Sequence, residues 1–195
     1  MKRTASSLLF TLLLTVSACA PNFGVRLSVP SLPDPQSFVA APVEGESVRV
    51  KVGSFVDARP SMTILVVDGR DVVSEGSLGS VVQDGFQRYF REAGARVTLI
   101  NAPLIEGEIT NWSAKVTPGF PSSDAVASAR IKVTIKDSEL HPLYRANFSG
   151  EATISHPLLD EEKVQELLAR AMGGAIEAAI KDESLIAQLS RGRVE

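Results

Sequence analysis

The chain has one cysteine, two histidines and one tryptophan in 195 residues, and aromatic residues make up only 6% of it. With a single cysteine no intrachain disulfide can form. The fold must rest on its apolar core, and 44% hydrophobic with 22% charged residues at this length is the balance of one globular domain. The formal net charge of -3 leaves no basic surplus to displace counterions from a polyanion, and so few aromatics leave little for base stacking, so nucleic acid is not the expected partner. No HExxH or CxxC spacing accompanies His141 or His156. Each precedes a proline at an expected strand end, and both read as exposed turn histidines with no metal. There is no G-x-S-x-G motif, and Gly76-Ser77-Leu78-Gly79 lacks the lysine and spacing of a phosphate loop. No catalytic residue and no cofactor are expected. A hydrolase reading would return only if carboxylates such as Glu106, Glu108 and Glu151 met in one cleft.

A long apolar run is also lacking. Ser7 to Val16 is apolar but well short of the roughly 20 residues that cross a bilayer. It follows the basic start Met1-Lys2-Arg3 and precedes small residues, the pattern of an export signal over residues 1–18. Val16-Ser17-Ala18-Cys19 resembles the bacterial lipobox. That resemblance implies that Cys19 becomes residue one of the mature chain, carries a thioether-linked diacylglycerol and is acylated on its new amine. By the sorting rule known for such lipoproteins, Ala20 in place of an aspartate points to the outer membrane, with the domain facing the periplasm. The alternative is a plain secretory signal cut after Ala18 or Ala20, with Cys19 left free.

From Cys19 to residue 45 the chain carries Pro21, Pro30, Pro33, Pro35 and Pro42 without a sustained period, which reads as a flexible tether. A short strand over 25–29 would shorten its reach by docking. The single domain is expected over 46–195. Val48, Val50 and Val52 alternate with cations, the pattern of a half-buried strand. Met62 to Val73 reads as a hairpin about Asp68-Gly69. Leu78, Val82, Phe86, Tyr89 and Ala93 recur at helical spacing up to Gly94. A strand over 96–100 and three long alternating runs then form an antiparallel meander, in which Ile105 and Ile109, Ala127 to Ile135, and Tyr144 to Ile154 mark the dry faces. Val164, Leu168, Met172, Ile176 and Ile180 make a covering helix with Asp160 as its N-cap, continued by Leu185 and Leu189 after a break near Asp182. Gly173-Gly174 within that helix points to close packing on the sheet. The expected class is α+β: a mostly antiparallel sheet with two helical segments on one face, a sandwich of two layers.

Four residues stand out as partner contacts. Asp57 and Arg59, two apart at a strand end, read either as a turn held by its own charges or as an exposed contact. Phe120, between Pro118 and Pro121 in the loop 117–124, is hard to bury and reads as an anchor. By strict alternation Trp112 falls on the face opposite Ile105 and Ile109, partly exposed, or packed under residues 25–29.

The order of these elements carries a resemblance. The lipobox, the tether, Val56-Asp57-Ala58-Arg59, the helix 81–94, Leu143-Tyr144-Arg145-Ala146-Asn147-Phe148 and Lys181-Asp182-Glu183-Ser184-Leu185-Ile186 together resemble the YajG-type bacterial lipoproteins. The resemblance implies location and fold and brings no catalytic residue. In architecture the chain is also similar to envelope accessory lipoproteins. The expected role is non-enzymatic: an outer-membrane lipoprotein whose periplasmic domain binds or scaffolds another envelope component. The alternative is a carrier or chaperone for a lipid or other apolar ligand, which needs an apolar cavity between sheet and helices.

Overall fold

The computed structural model describes residues 26–34 and 48–191. The signal segment 1–18, Cys19 and tether residues 20–25 and 35–45 lie outside the described residues. The elements in order are β1 (Arg26–Ser28), β2 (Arg49–Asp57), β3 (Thr63–Val67), β4 (Arg70–Glu75), α1 (Leu78–Glu92), β5 (Arg96–Val97), β6 (Leu104–Thr117), β7 (Ser123–Lys136), β8 (Pro142–His156), α2 (Glu161–Ile180) and α3 (Glu183–Arg191). No helix among the described residues is long and apolar enough to cross a membrane.

The α+β class holds, but the sheet is mixed, which corrects the mostly antiparallel expectation. Four strand pairings are parallel, β1 with β4, β2 with β5, β2 with β6 and β3 with β6. Three are antiparallel, β3 with β4, β6 with β7 and β7 with β8. Hairpin neighbours show themselves in sequence through their turns. Parallel neighbours need crossovers, so β2 and β3 find β6 only after α1 has intervened.

β6 organises the sheet. Along one edge it pairs with β7 from Leu104 to Thr117. On its other edge β2 pairs up to Ile109, and β3 takes over from Ala114 to Val116. The helices pack on one face. Phe55 of β2 stacks on Phe86 of α1 with ring centroids 4.7 Å apart, and Phe86 meets Phe90 at 6.0 Å. Phe55 finds room because it lies over Gly107 of β6, where a Cβ would sit 2.7 Å from its ring. α2 covers β7 and part of β8. Small residues face it there: Ala125, Ala127 and Ala129 are buried, and a Cβ on Gly150 would overlap the Ala171 carbonyl. Gly174 faces Gly150 across this contact, so the glycine pair in the helix lets helix and sheet close together.

The caps follow the sequence. The Ser77 side chain accepts from the Ser80 amide and starts α1, so the glycine-rich stretch there is a helix start. Asp160 caps α2 by accepting from the Lys163 amide at 3.0 Å, and Asp182 caps α3 by accepting from Leu185 at 2.7 Å. Asp68 and Gly69 both have positive φ, 48° and 74°, as a tight turn of this twist demands.

Residues 26–34, read from sequence as tether, are part of the folded unit. β1 lies parallel to β4, with Arg26 opposite Val73. Leu27 and Leu32 are buried, and Leu32 fills the space above Gly85 of α1. Arg88 donates to the carbonyls of Leu32 and Pro33 at 2.7 and 3.1 Å. The buried leucines, the strand pairing and the Arg88 hydrogen bonds work together against the backbone entropy lost in ordering these residues.

Candidate interaction site

Asp57 and Arg59 form a clamp in which the arginine is buried and the carboxylate remains partly exposed. The Arg59 side chain is 3% exposed. Its five N–H groups are all used: Nε and one terminal nitrogen hold the two Asp57 oxygens at 2.9 and 3.0 Å, and the others donate to the carbonyls of Thr63 and Trp112 and to Ser74 Oγ. This fork sits where β2 has left β6 and β3 has not yet joined it. The Trp112 carbonyl, in that gap, takes its hydrogen bond from Arg59 at 3.1 Å. Hydrogen bonding to Arg59 holds the Asp57 carboxyl below its ordinary value of 3.8, against the opposing pull of desolvation. Arg59 therefore offers no surface to a partner, which corrects that expectation. The turn is held by its own charges and by three strands.

Trp112 is also corrected, for a reason in the register. Ile109 pairs with Ile131 and Asn111 with Arg130, so Thr110 is an extra residue in β6. One bulged residue reverses the parity of all that follow. Trp112 thus shares the face of Ile105 and Ile109, wholly buried, and donates from Nε1 to the Leu168 carbonyl of α2 at 2.9 Å.

Phe120 is where the sequence places it, 97% exposed in the loop between β6 and β7. Leu158, 63% exposed, projects from the loop after β8 at the same end of the sheet, since Ser123 pairs with His156. The other polar candidates do not converge. His156 lies at this end and His141 at the other end of β8, beside Asp137 and Glu139 at 3.5 Å each. Glu106 and Glu108 are engaged by Lys136 and Lys132 across the open face of the sheet. Glu151 stands opposite Ser128, four residues along β7 from the partner of Glu108, or about 13 Å. No group of three or more metal-ligating side chains occurs among the described residues.

The feature that sequence reading passed over is the edge formed by β8. This strand has 15 residues and, among the described residues, pairs only with β7. Its inward row is covered incompletely: Tyr144, Ala146, Ala152 and Ile154 are half-buried, whereas Ala127, Ala129, Ile131 and Val133 of β7 are wholly enclosed. Natural edges are commonly blunted by lysine, internal proline or bulges. β8 carries two charged residues, Arg145 and Glu151, both on its open face, but no lysine and no proline after Pro142, and its pairing is regular from Tyr144 to His156. The signal was available: it is the last strand of a meander, with only helices after it. Tyr144 also donates to Asp182 at 3.0 Å, tying the strand to the cap of α3, and burial followed by this hydrogen bond raises its phenol above 10.0.

No protein-family model and no curated protein matches the chain. Among solved structures, the fold is similar to that of protein XCC0632 from Xanthomonas campestris, described under the family model DUF330. The TM-score is 0.51 at 14% identity, covering 86% of this chain and 95% of that one. A minor lipoprotein from Acinetobacter baumannii matches with TM-score 0.44 and 11% identity over 74% of this chain and 93% of that one. Lipoprotein GNA1162 from Neisseria meningitidis matches with TM-score 0.31 and 12% identity over 63% and 93%. The first of these shows that the arrangement of strands and helices is one already seen in a bacterial protein. None of the three carries the YajG-type name.

Proposed function

We propose that this is a lipid-anchored protein of the bacterial cell envelope, held to the outer membrane through Cys19, whose periplasmic domain docks another envelope protein along the free edge of β8 and catalyses no reaction. The edge of β8 carries this reading. A regular strand of this length presents a row of unpaired backbone donors and acceptors that an extended segment of a partner can complete, with side-chain contacts setting specificity. The half-covered inner row supplies apolar area that an added strand would enclose. The lipobox around Cys19 supports the anchor, since two or three acyl chains at about 0.8 kcal/mol per buried CH₂ hold far more firmly than one.

The carrier reading has less support. The space between sheet and helices is occupied by Trp112, Phe86, Phe90, Ile109, Leu168 and Met172, all buried. A groove of about 740 Å³ between residues 30–34 and α2 is edged by Asp34, Glu162, Glu166, Arg170 and Glu177, charges ill suited to an acyl chain.

Photocrosslinking in intact cells tests the docking edge. A benzophenone amino acid at Asn147 on β8 is expected to give a discrete adduct with one envelope protein, and the same probe at exposed Asp84 of α1 is expected not to. Identical adducts from both positions, or none from Asn147, would contradict the proposal.

A further inference from the structure

The docking of β1 limits how far the domain can stand from an anchor at Cys19 and sets the direction from which the chain enters the sheet. Arg26 is paired with Val73, so the anchoring residue Cys19 is seven residues away along the chain. Fully extended, seven residues span at most about 25 Å. β1 runs parallel to β4, which leads away from the turn at Asp68-Gly69, so the N-terminal side of Arg26 faces that turn. The turn lies four residues from Val73, or about 13 Å. Val67 at its base is level with Val116 of β6, so the loop bearing Phe120 projects at the same end, and the loop bearing Leu158 leaves the neighbouring strand there.

The opposite end carries exposed apolar residues too, Leu99, Ile100 and Leu140. It is out of reach. Arg26 is level with the middle of β7, near Ala129, and Lys136 lies seven residues further, about 24 Å, with the turn to Leu140 beyond. The chain enters β1 from the other direction.

We infer that the sheet stands end-on to the bilayer, with the Asp68-Gly69 turn and the loops of Phe120 and Leu158 against the lipid and the Phe120 ring among the acyl chains. This rests on the lipid anchor at Cys19 and deepens the proposed function, because strands standing away from the membrane leave the edge of β8 open to the side. This end carries more acid than base, Asp68, Asp71, Asp124, Asp160, Glu161 and Glu162 against Arg70, Lys115 and Lys163, so it has no attraction for anionic headgroups. The contact is therefore apolar and does not depend on anionic lipid.

The test uses the full lipidated protein in vesicles of phosphatidylethanolamine and phosphatidylglycerol. Once Cys19 is a thioether, Phe120→Cys or Leu140→Cys supplies the one free thiol for a nitrobenzoxadiazole dye. Lipids spin-labelled on the acyl chain are expected to quench the dye at 120 at least threefold more than at 140, with little change as phosphatidylglycerol varies. Equal quenching, or more at 140, overturns the orientation while leaving the anchor intact. The mass of the mature N-terminal peptide separates the two failures: an unmodified Cys19 overturns the anchor and the orientation with it.

Discussion

The two edges of β6 solve the same problem in opposite ways. Towards β7 it meets a single antiparallel neighbour along its whole length, interrupted only by the bulge at Thr110. On the other side it meets two shorter parallel neighbours end to end, β2 and then β3, with a gap between Ile109 and Ala114. A continuous ladder satisfies its own backbone groups. A patched edge leaves some unpaired, and buried carbonyls without partners cost about 1–3 kcal/mol each. Arg59 meets that need: it donates to the Asp57 carboxylate from one side of its fork and gives its remaining donors to the strands around the gap. The bulge at Thr110 lies at the same level, so the irregularities of both edges share one place and Trp112 turns inward beside it.

The strongest way to break the patched edge is Arg59→Ala. It leaves the Thr63 and Trp112 carbonyls without their donor and the partly exposed Asp57 carboxylate without its partner, with an expected loss of about 2–4 kcal/mol. Urea unfolding followed by Trp112 emission measures it, since that ring is wholly buried in the native protein. Arg59→Lys should recover less than half, because an ammonium cannot reproduce the planar fork.

Asp57→Asn sharpens the comparison with a smaller effect, about 1–2 kcal/mol near neutral pH, as a charge-assisted pair becomes a neutral one. The sign of its pH dependence is fixed by the lowered carboxyl. The native value lies below the ordinary 3.8, so the stabilisation is complete above that value and is lost as pH falls through the native one. The gap between wild type and Asp57→Asn should therefore be constant above about pH 5 and close on acidification. A gap that widened in acid would mean that Asp57 is not held as an anion by Arg59.

Much of the fold was legible because its signals are local. The turn at Asp68-Gly69, the cap Asp160, the stripes of α1 and α2 and the alternation of β7 and β8 each depend on residues close in sequence. The glycine pair 173–174 announced a close approach, which Gly150 completes. What stayed hidden was non-local. Nothing in the spelling of β2 or β3 says that both lie on one edge of β6, and strict alternation put Trp112 on the wrong face because one extra residue, Thr110, reverses it. Arg59 looked like a surface charge because its partners, Thr63, Ser74 and Trp112, are brought together only by that shared edge. The docking of residues 26–34 was foreshadowed by the apolar residues at 25–29, but their depth of burial depends on Gly85 and Arg88 of α1. The edge of β8 could have been read from its place as the last strand.

The central claim is that this domain works from a lipid anchor at Cys19, and the mass of the mature amino terminus tests it most directly. The first residue of the protein recovered from the membrane fraction is expected to be Cys19, carrying a diacylglyceryl thioether and an amide-linked acyl chain. A mature chain that begins elsewhere, or that keeps Cys19 as a free thiol and is released by osmotic shock, would contradict it.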